Sequence, residues 1–399
     1  MNNLAVKFIS HARAHGVRPA TRRALEHLRL VHDENAPPTK QDIISQYKSI
    51  LGHPHGARRR KSEVDIQWVV PNFGSGSGGH LNIFRFINLL AKQGVNQRLV
   101  ILPPFEWSSP DQARLALERW YFPLTAEIAL GVDGFCAAGA TIATGWQTAY
   151  WVHHHRASAQ KFYFVQDFEP LFYPQSSTAV LAENTYRLGL QGITAGPWLQ
   201  SKLETEFSMP CAPISFSCDM EFYRPTARRP NKNFNILFYA RHTTPRRLFE
   251  IGLLSLAELC KKHPKIAVIF AGGNVSGFHI PFHHLNAGEL KLSELPDLYS
   301  QSDLALVLSG SNLSLLPLEI AACHCPMVLN DDASANWLLP RNATFYAQTS
   351  PTSLTDVMEK AYKDPKARAS KAKQAFEFAA LTSWEAEAKK LNDIIGGRK

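Results

Sequence analysis

The chain is predicted to fold as two α/β halves of similar size, each a parallel sheet with helices packed on it, behind a basic helical N-terminal extension. Three observations carry this. Strand-length apolar runs alternate with helix-period patterns, which is the signature of βαβ units. The alternation restarts after a single proline-bearing linker. The length of 399 residues suits two or three domains, and 45% hydrophobic with 11% aromatic residues is enough to fill their cores.

The N-terminal segment stands apart by charge. Residues 1–63 hold 12 Lys/Arg and 5 acids, a net +7, whereas the whole chain carries +9. Within it, Pro37-Pro38 stops the preceding pattern and Thr39 with Asp42 resembles a capping box. Ile43, Ile44, Tyr47, Ile50 and Leu51 then share one helical face, and Gly52 ends the helix. The run Arg58-Arg59-Arg60-Lys61 reads as a solvated linker or as a contact for an anionic membrane or partner. Few aromatics lie among these charges, so no nucleic-acid partner is expected.

The first half begins with the apolar run 66–70. A Gly-rich loop follows, then a helical pattern through Ile83, Phe86, Ile87 and Leu90, then a strand at 97–102. Further strand runs are placed at 131–138, 161–166 and 192–195. Residues 222–233, with Pro225 and Pro230 and no apolar period, form the linker. The second half reads as strand 234–240, a helix through Leu248, Ile251 and Leu259, and strands 266–271 and 304–308. A helix from about Pro317 then leads to strand 326–329. The domains are therefore set at 1–64, 65–225, 226–380 and a final helical segment 381–399.

Several classes are excluded. No run approaches the roughly 18 uninterrupted apolar residues of a membrane span. The first residues lack an apolar core and cleavage site, so no signal peptide is expected. Six cysteines without paired spacing give neither a disulfide framework nor a zinc site. A reduced, cytoplasmic protein without cofactor or metal is expected.

Ligands of parallel sheets bind beyond the carboxyl ends of the strands, so the residues there are the site candidates. The loop Gly74-Ser75-Gly76-Ser77-Gly78-Gly79 lets amides approach an anion at a helix start. It lacks the Lys-Ser/Thr of a phosphate-binding P-loop. It nominally fits the dinucleotide fingerprint, but the next strand end at Leu99-Val100 carries no acid for a ribose. Arg241 with Arg246 and Arg247 follows the first strand of the second half, and guanidinium forks suit a diphosphate. Ser311, Asn312, Ser314, Leu315 and Leu316 precede a helix opened by Pro317, with Glu319 in its first turn, where a carboxylate can accept from sugar hydroxyls. Asp167 and Glu169 lie just past a strand end, where a carboxylate can orient an acceptor hydroxyl or act as a base. Trp146 and Thr148 are acceptor-cleft candidates, and His153-His154-His155 reads as a helix-end polar cluster.

In this order, Gly78-Gly79, Arg241 with Arg246, and Pro317-Leu318-Glu319 followed by Cys325-Pro326-Met327-Val328 resemble the two-domain GT-B glycosyltransferases, specifically the family 4-like group, over roughly residues 65–395. The resemblance implies that Arg241 and Arg246 hold a nucleotide-sugar diphosphate, with Gly78, Gly79 and the amides of Ser314, Leu315 and Leu316. It implies that Glu319 binds the nucleoside, with Glu289, Leu290 and Lys291 near the base, and that Asp167 and His80 face the acceptor. Two departures stand out: Arg246 occupies the usual lysine position, and Ser311 stands where the family carries a sugar-binding glutamate. The segments 162–169 and 240–250 are more like bacterial rhamnosyltransferases of cell-surface polysaccharides, which implies a dTDP-rhamnose donor. Such enzymes retain anomeric configuration without a metal, act on a glycan or lipid-linked glycan, and close with a C-terminal helix crossing back to the first domain. A sugar-nucleotide epimerase, a catalytically silent glycan-binding relative and a nicotinamide oxidoreductase are the rival readings.

Overall fold

The computed structural model describes residues 43–56 and 62–396. The first sheet is built of β1 (Val64–Val70), β2 (Gln97–Ile101), β3 (Glu127–Leu130), β4 (Ala138–Ala143), β5 (Ser158–Val165), β6 (Gln191–Ala195) and β7 (Cys211–Ile214). Its order is β3-β2-β1-β4-β5-β6-β7, every pairing parallel. The second sheet comprises β8 (Phe234–Tyr239), β9 (Ile266–Ala271), β10 (His284–Gly288), β11 (Leu304–Val307), β12 (Met327–Asn330) and β13 (Phe345–Ala347), ordered β10-β9-β8-β11-β12-β13 and again parallel. These are the two expected α/β halves, hereafter lobes.

A sheet covered on both faces needs strands apolar throughout rather than alternating. β9, Ile-Ala-Val-Ile-Phe-Ala, is buried at all six positions, and β1 at all but Asp65. The fully buried Trp68 of β1 donates through Nε1 to Gln97 Oε1 at 2.9 Å. Gln97 Nε2 donates in turn to the Ile87 carbonyl at 2.8 Å, tying both central strands to α2 (Gly78–Lys92). A buried indole thus has no unsatisfied N–H.

The strand expected at 131–138 is a correction. Residues 132–134 form a 3-10 turn, and the strands lie on either side at β3 and β4. β4, Ala-Gly-Ala-Thr-Ile-Ala, carries little apolar bulk, so its run was hard to see. A Cβ at Gly139 would come within 2.8 Å of the Asp65 carbonyl, so close strand approach requires the small residue. The short edge strands β10 and β13 were also missed. Strand β10 is largely exposed, which removes the apolar signal.

The chain divides into residues 1–49 and 50–399, and both lobes belong to the second unit. Helix α1 (Ile43–Leu51) ends at Gly52 with φ +69°, as the pattern predicted, while its cap residues Thr39 and Asp42 and the run Arg58 to Lys61 lie outside the described residues. Beyond it the chain joins the first lobe. His55 N–H donates to the His154 carbonyl at 3.4 Å, and Arg156 N–H donates to the His55 carbonyl at 2.9 Å. A side chain at Gly52 would meet the Trp151 ring at 3.1 Å. A truncation of residues 1–49 keeps this cover and serves as the reference. Deleting 1–61 strips this cover and should cost on the order of 2 kcal/mol. Thermal melts of the two truncations decide it, and equal melting temperatures would refute the docking of 50–56.

Residues 222–233 are irregular, as expected of a linker, but pinned. Arg228 pairs with Asp303 at 2.7 Å and Arg229 with Asp297 at 2.8 Å. At the C-terminus, α12 (Trp384–Gly396) returns to the first lobe. Trp384 lies edge-on to Phe86 at 5.6 Å beneath the Arg85 guanidinium at 4.5 Å, and Glu387 accepts from Ser215 N–H at 2.8 Å.

Candidate functional site

In both sheets the strand order reverses beside the first strand of the lobe. That opens a crevice at the carboxyl ends of β1/β4 and of β8/β11. The loops filling these two crevices are 71–80 with 144–145, and 240–248 with 308–315. The sequence candidates Gly78, Gly79, Arg241, Arg246, Ser311 and Ser314 all sit on them.

The second-lobe loops are bonded to each other. Gly310 N–H donates to the Arg246 carbonyl at 2.7 Å, and Arg247 Nη1 donates to Ser309 Oγ at 3.1 Å. The Arg246 guanidinium lies 4.1 Å over the Phe172 ring, a cation–π placement. Its Nε is buried with no hydrogen-bond partner and stands 3.7 Å from Asp167 Oδ2. Helix α9 (Leu316–Ala322) starts one residue before Pro317, and its first bond runs from Leu318 N–H to the Leu315 carbonyl. The amides of Ser314, Leu315 and Leu316 thus precede the helical hydrogen bonds.

Asp167 was expected to face an acceptor hydroxyl, and the structure corrects that. Its carboxylate is 9% exposed and fully engaged. Oδ2 accepts from the Ser311 hydroxyl, and Oδ1 from the amides of Asn312 and Phe168, all at 2.8 Å. Burial raises its pKa, opposed by the Asn312 amide, Arg247, Ser311 and Arg246.

Four further expectations are corrected. Asn312 has no free polar atom for a sugar, because Nδ2 donates to the Gln166 and Ala195 carbonyls and Oδ1 accepts from Trp337 Nε1 at 2.7 Å. Trp146 is buried with Nε1 on Tyr173 Oη, so it offers no stacking face. Thr148 is buried because its hydroxyl closes the start of α4 (Trp146–His154) against the Thr144 and Gly145 amides. Glu169 points inward, accepting from Trp146 N–H at 2.8 Å and Tyr163 O–H at 2.5 Å, and burial pushes it up to about 7. The His153-His154-His155 tract does end a helix: His154 closes α4, His153 Nδ1 pairs with the Leu188 carbonyl at 2.9 Å, and His155 is buried on the Cys136 carbonyl.

His80 stands at the crevice, on the first turn of α2. Its Nδ1 is 2.8 Å from Ser77 Oγ, and burial pushes its pKa down to about 4 despite a bond to the Pro71 backbone. His80 is therefore expected to stay neutral from pH 5 upward. Histidine ring NMR should show it titrating near pH 4, and a midpoint above 6 would refute this environment. Gly78 is open, whereas a Cβ at Gly79 would meet Gln166 Nε2 at 3.3 Å.

Glu319 does not stand alone in the first turn of its helix. The Tyr223 and Tyr299 hydroxyls bond its carboxylate, Arg85 of the first lobe lies near, and burial pushes it up to about 7. Glu289, Leu290 and Lys291 follow edge strand β10, where Lys291 N–H is capped by Glu294 at 2.8 Å. The sequence reading missed Gln166, Trp337, Tyr223, Tyr299 and Arg85. Gln166 and Trp337 gave no signal, since each becomes polar glue only when the lobes meet. Arg85 was a visible lone cation on an apolar helix face.

Comparison with known proteins bears on the fold. Residues 135–195 match the family WsaF, N-terminal domain, and residues 234–359 match WsaF, C-terminal domain. Among solved structures, sucrose-phosphate synthase from Thermosynechococcus elongatus superposes with a TM-score of 0.66 at 13% identity, over 84% of this chain and 98% of that one. Anabaena HepE in complex with UDP and glucose gives 0.66 at 13%, over 84% and 100%. The fold is thus the GT-B fold, shared with glycosyltransferases such as WaaG, involved in lipopolysaccharide biosynthesis, which superposes with a TM-score of 0.58 at 12% identity. The two WsaF matches fall in order, one on each lobe. It is also 31% identical over 353 residues to the O-antigen biosynthesis protein RfbC of Myxococcus xanthus, covering 83% of this chain and 27% of that protein, so it spans about a quarter of that relative's length.

Proposed function

We propose that the protein transfers a sugar from a nucleotide-diphosphate donor to a glycan or lipid-linked glycan acceptor in polysaccharide synthesis. The observation carrying this reading is the second-lobe crevice, where the loop bearing Arg241, Arg246 and Arg247 is bonded through the Arg246 carbonyl and Arg247 Nη1 to the 308–315 loop that leads into α9. Guanidinium groups and free amides on such adjoining loops can stabilise the negative charge that builds on a departing diphosphate. In this reading Arg246 and Arg241 grip the diphosphate, with Ser314, Leu315 and Leu316 donating through the backbone. Gly78 and Gly79 leave room on the opposite side. Glu319 meets the nucleoside, and Glu289 to Lys291 lie by the base. The positive charge comes from protein groups, so the proposed transfer needs no metal, and it retains configuration.

The finer proposal is a dTDP-rhamnose donor. It is supported by the likeness of residues 162–169 and 240–250 to rhamnosyltransferases, and by the O-antigen role printed for the relative. Among the described residues no helix is long and apolar enough to cross a membrane. We place the reaction in the cytoplasm, with the basic segment 1–61 bringing the enzyme to anionic lipid.

Thermal shift with dTDP-rhamnose, UDP-glucose, UDP-N-acetylglucosamine and GDP-mannose tests both levels, because a bound donor raises apparent stability by mass action. The largest shift is expected with dTDP-rhamnose. A larger shift with another donor removes the rhamnose assignment. A flat response to all four removes the transferase reading.

A further inference from the structure

We propose that Asn312 is a positioning residue that holds the two lobes in the reactive arrangement before a donor arrives. Its effect on transfer rests on the donor-crevice reading above, but the docking stands on its own geometry. Asn312 lies on the loop after β11, yet its amide group is inserted between the ends of β5 and β6 in the other lobe. There Nδ2 donates to the Gln166 carbonyl at 2.8 Å and the Ala195 carbonyl at 2.9 Å. Both carbonyls sit at the ends of buried parallel strands, where each needs a donor that its own sheet does not supply.

The other polar atoms of Asn312 are equally committed. Oδ1 accepts from Trp337 Nε1 at 2.7 Å, and the backbone amide donates to Asp167 at 2.8 Å. The Trp337 ring in turn lies on Gly196, whose φ of +91° and bare Cα let it approach. A Cβ there would come within 2.5 Å of the ring. Two carbonyls and an indole N–H converge on one position, and only a primary amide offers two donors and an acceptor there. Aspartate would place negative charge against the carbonyls, and an aliphatic residue would leave three buried groups unpaired.

The clasp extends to both crevices. Ser311 O–H bonds Asp167 next to Asn312. Gln166, whose carbonyl Asn312 holds, donates from Nε2 to the Gly79 carbonyl at 3.0 Å and accepts from Asn82 at 3.0 Å. Gly310 holds the Arg246 carbonyl on the other flank. One side chain therefore fixes the glycine loop of the first lobe against the arginine loop of the second. Opening the cleft breaks these bonds together, because they share the same short loop. Domain closure in many enzymes waits for substrate, whereas here the closed arrangement is built in.

The test compares the full chain with Asn312→Ala and Trp337→Phe, by small-angle scattering and by calorimetric titration with UDP and dTDP. The wild type should keep one radius of gyration with and without nucleotide. Asn312→Ala should be measurably larger when empty, contract on saturation with nucleotide, and bind it at least tenfold more weakly. Trp337→Phe, which keeps the ring on Gly196 but loses the indole donor, should change in the same direction by less, and it carries the test if the alanine variant does not fold. A residue of merely structural importance would lower the melting temperature without any contraction on binding. The proposal is overturned if the wild type itself contracts, or if the folded variants keep the wild-type radius and affinity. A wild type that binds neither nucleotide removes the donor reading, while the radii of the empty proteins still decide the clasp.

Discussion

Arg246→Ala is expected to lower kcat/KM for the nucleotide-sugar donor by about 100- to 1,000-fold, the range for removing one preorganised donor to a developing anion. The expectation comes from what Arg246 lacks. Its Nε is buried without a hydrogen-bond partner, and the nearest anion, Asp167, stands at 3.7 Å, beyond hydrogen-bond length. The guanidinium carbon lies 4.1 Å from the centre of the Phe172 ring, which holds the charge at the crevice by a cation–π contact. Arg246→Lys keeps the charge but loses the planar fork, so it should fall between wild type and alanine. The alanine variant also removes one of the two arginines whose charge offsets the burial of Asp167, so a lower melting temperature is expected alongside. Donor KM and kcat, read alongside a melting curve, separate the two effects. A folded alanine variant within threefold of wild-type kcat/KM would mean that the diphosphate lies elsewhere.

Glu169 and Glu319 are expected to contribute a loss of stability as pH rises from about 4.5 through 7, opposed up to about pH 6.5 by His80 and His155, which burial holds down near 4. Burial pushes both Glu169 and Glu319 from 4.5 up to about 7, the former against two hydrogen bonds that oppose the shift. In that window these two carboxyls hold protons in the folded state that the unfolded state has released, so their contribution to stability falls with rising pH. For Glu169, which is 6% exposed, the full penalty by pH 8 is on the order of 3 kcal/mol. Glu169→Gln fits the same pocket. Its carbonyl accepts from Trp146 N–H, and its amide donates to Tyr163 Oη, which as a hydroxyl also accepts. Urea unfolding at pH 5.5 and pH 8 should show Glu169→Gln gaining stability over wild type at pH 8 relative to pH 5.5, because the variant lacks the carboxyl that must ionise in the folded state. Glu319→Gln should change in the same direction. No such relative gain in the Glu169 variant would assign the pH dependence to other groups.

The paired carboxylates show where sequence reading reaches its limit. Asp167 and Glu169 do sit just past a strand, as their position after the run at 161–166 implied. Which way each turns was set by neighbours 23 to 145 residues away, Trp146 for Glu169 and Ser311 with Asn312 for Asp167. Trp146 illustrates the same limit. An aromatic after a strand end suits a sugar face or a core, and Tyr173 decides for the core by taking its indole N–H. By contrast, the arginine loop was legible, because a strand followed at once by Arg241, Arg246 and Arg247 places charge at the carboxyl edge whatever the rest of the fold does.

Local pattern therefore determined the two α/β halves, the apolar strands β1, β2, β8 and β9, the linker and the residues on the crevice loops. Each follows from backbone periodicity, apolar runs and turn chemistry within about ten residues. It also located most of the excess charge in residues 1–63. Tertiary structure alone decided the docking of 50–56, the inward turn of Glu169, and the conversion of Asn312 and Asp167 from ligand candidates into a bond between lobes. The physical reason is that a polar side chain's role depends on which buried groups would otherwise go unpaired. Gln166, Ala195 and Trp337 reach Asn312 only once both sheets have formed and met.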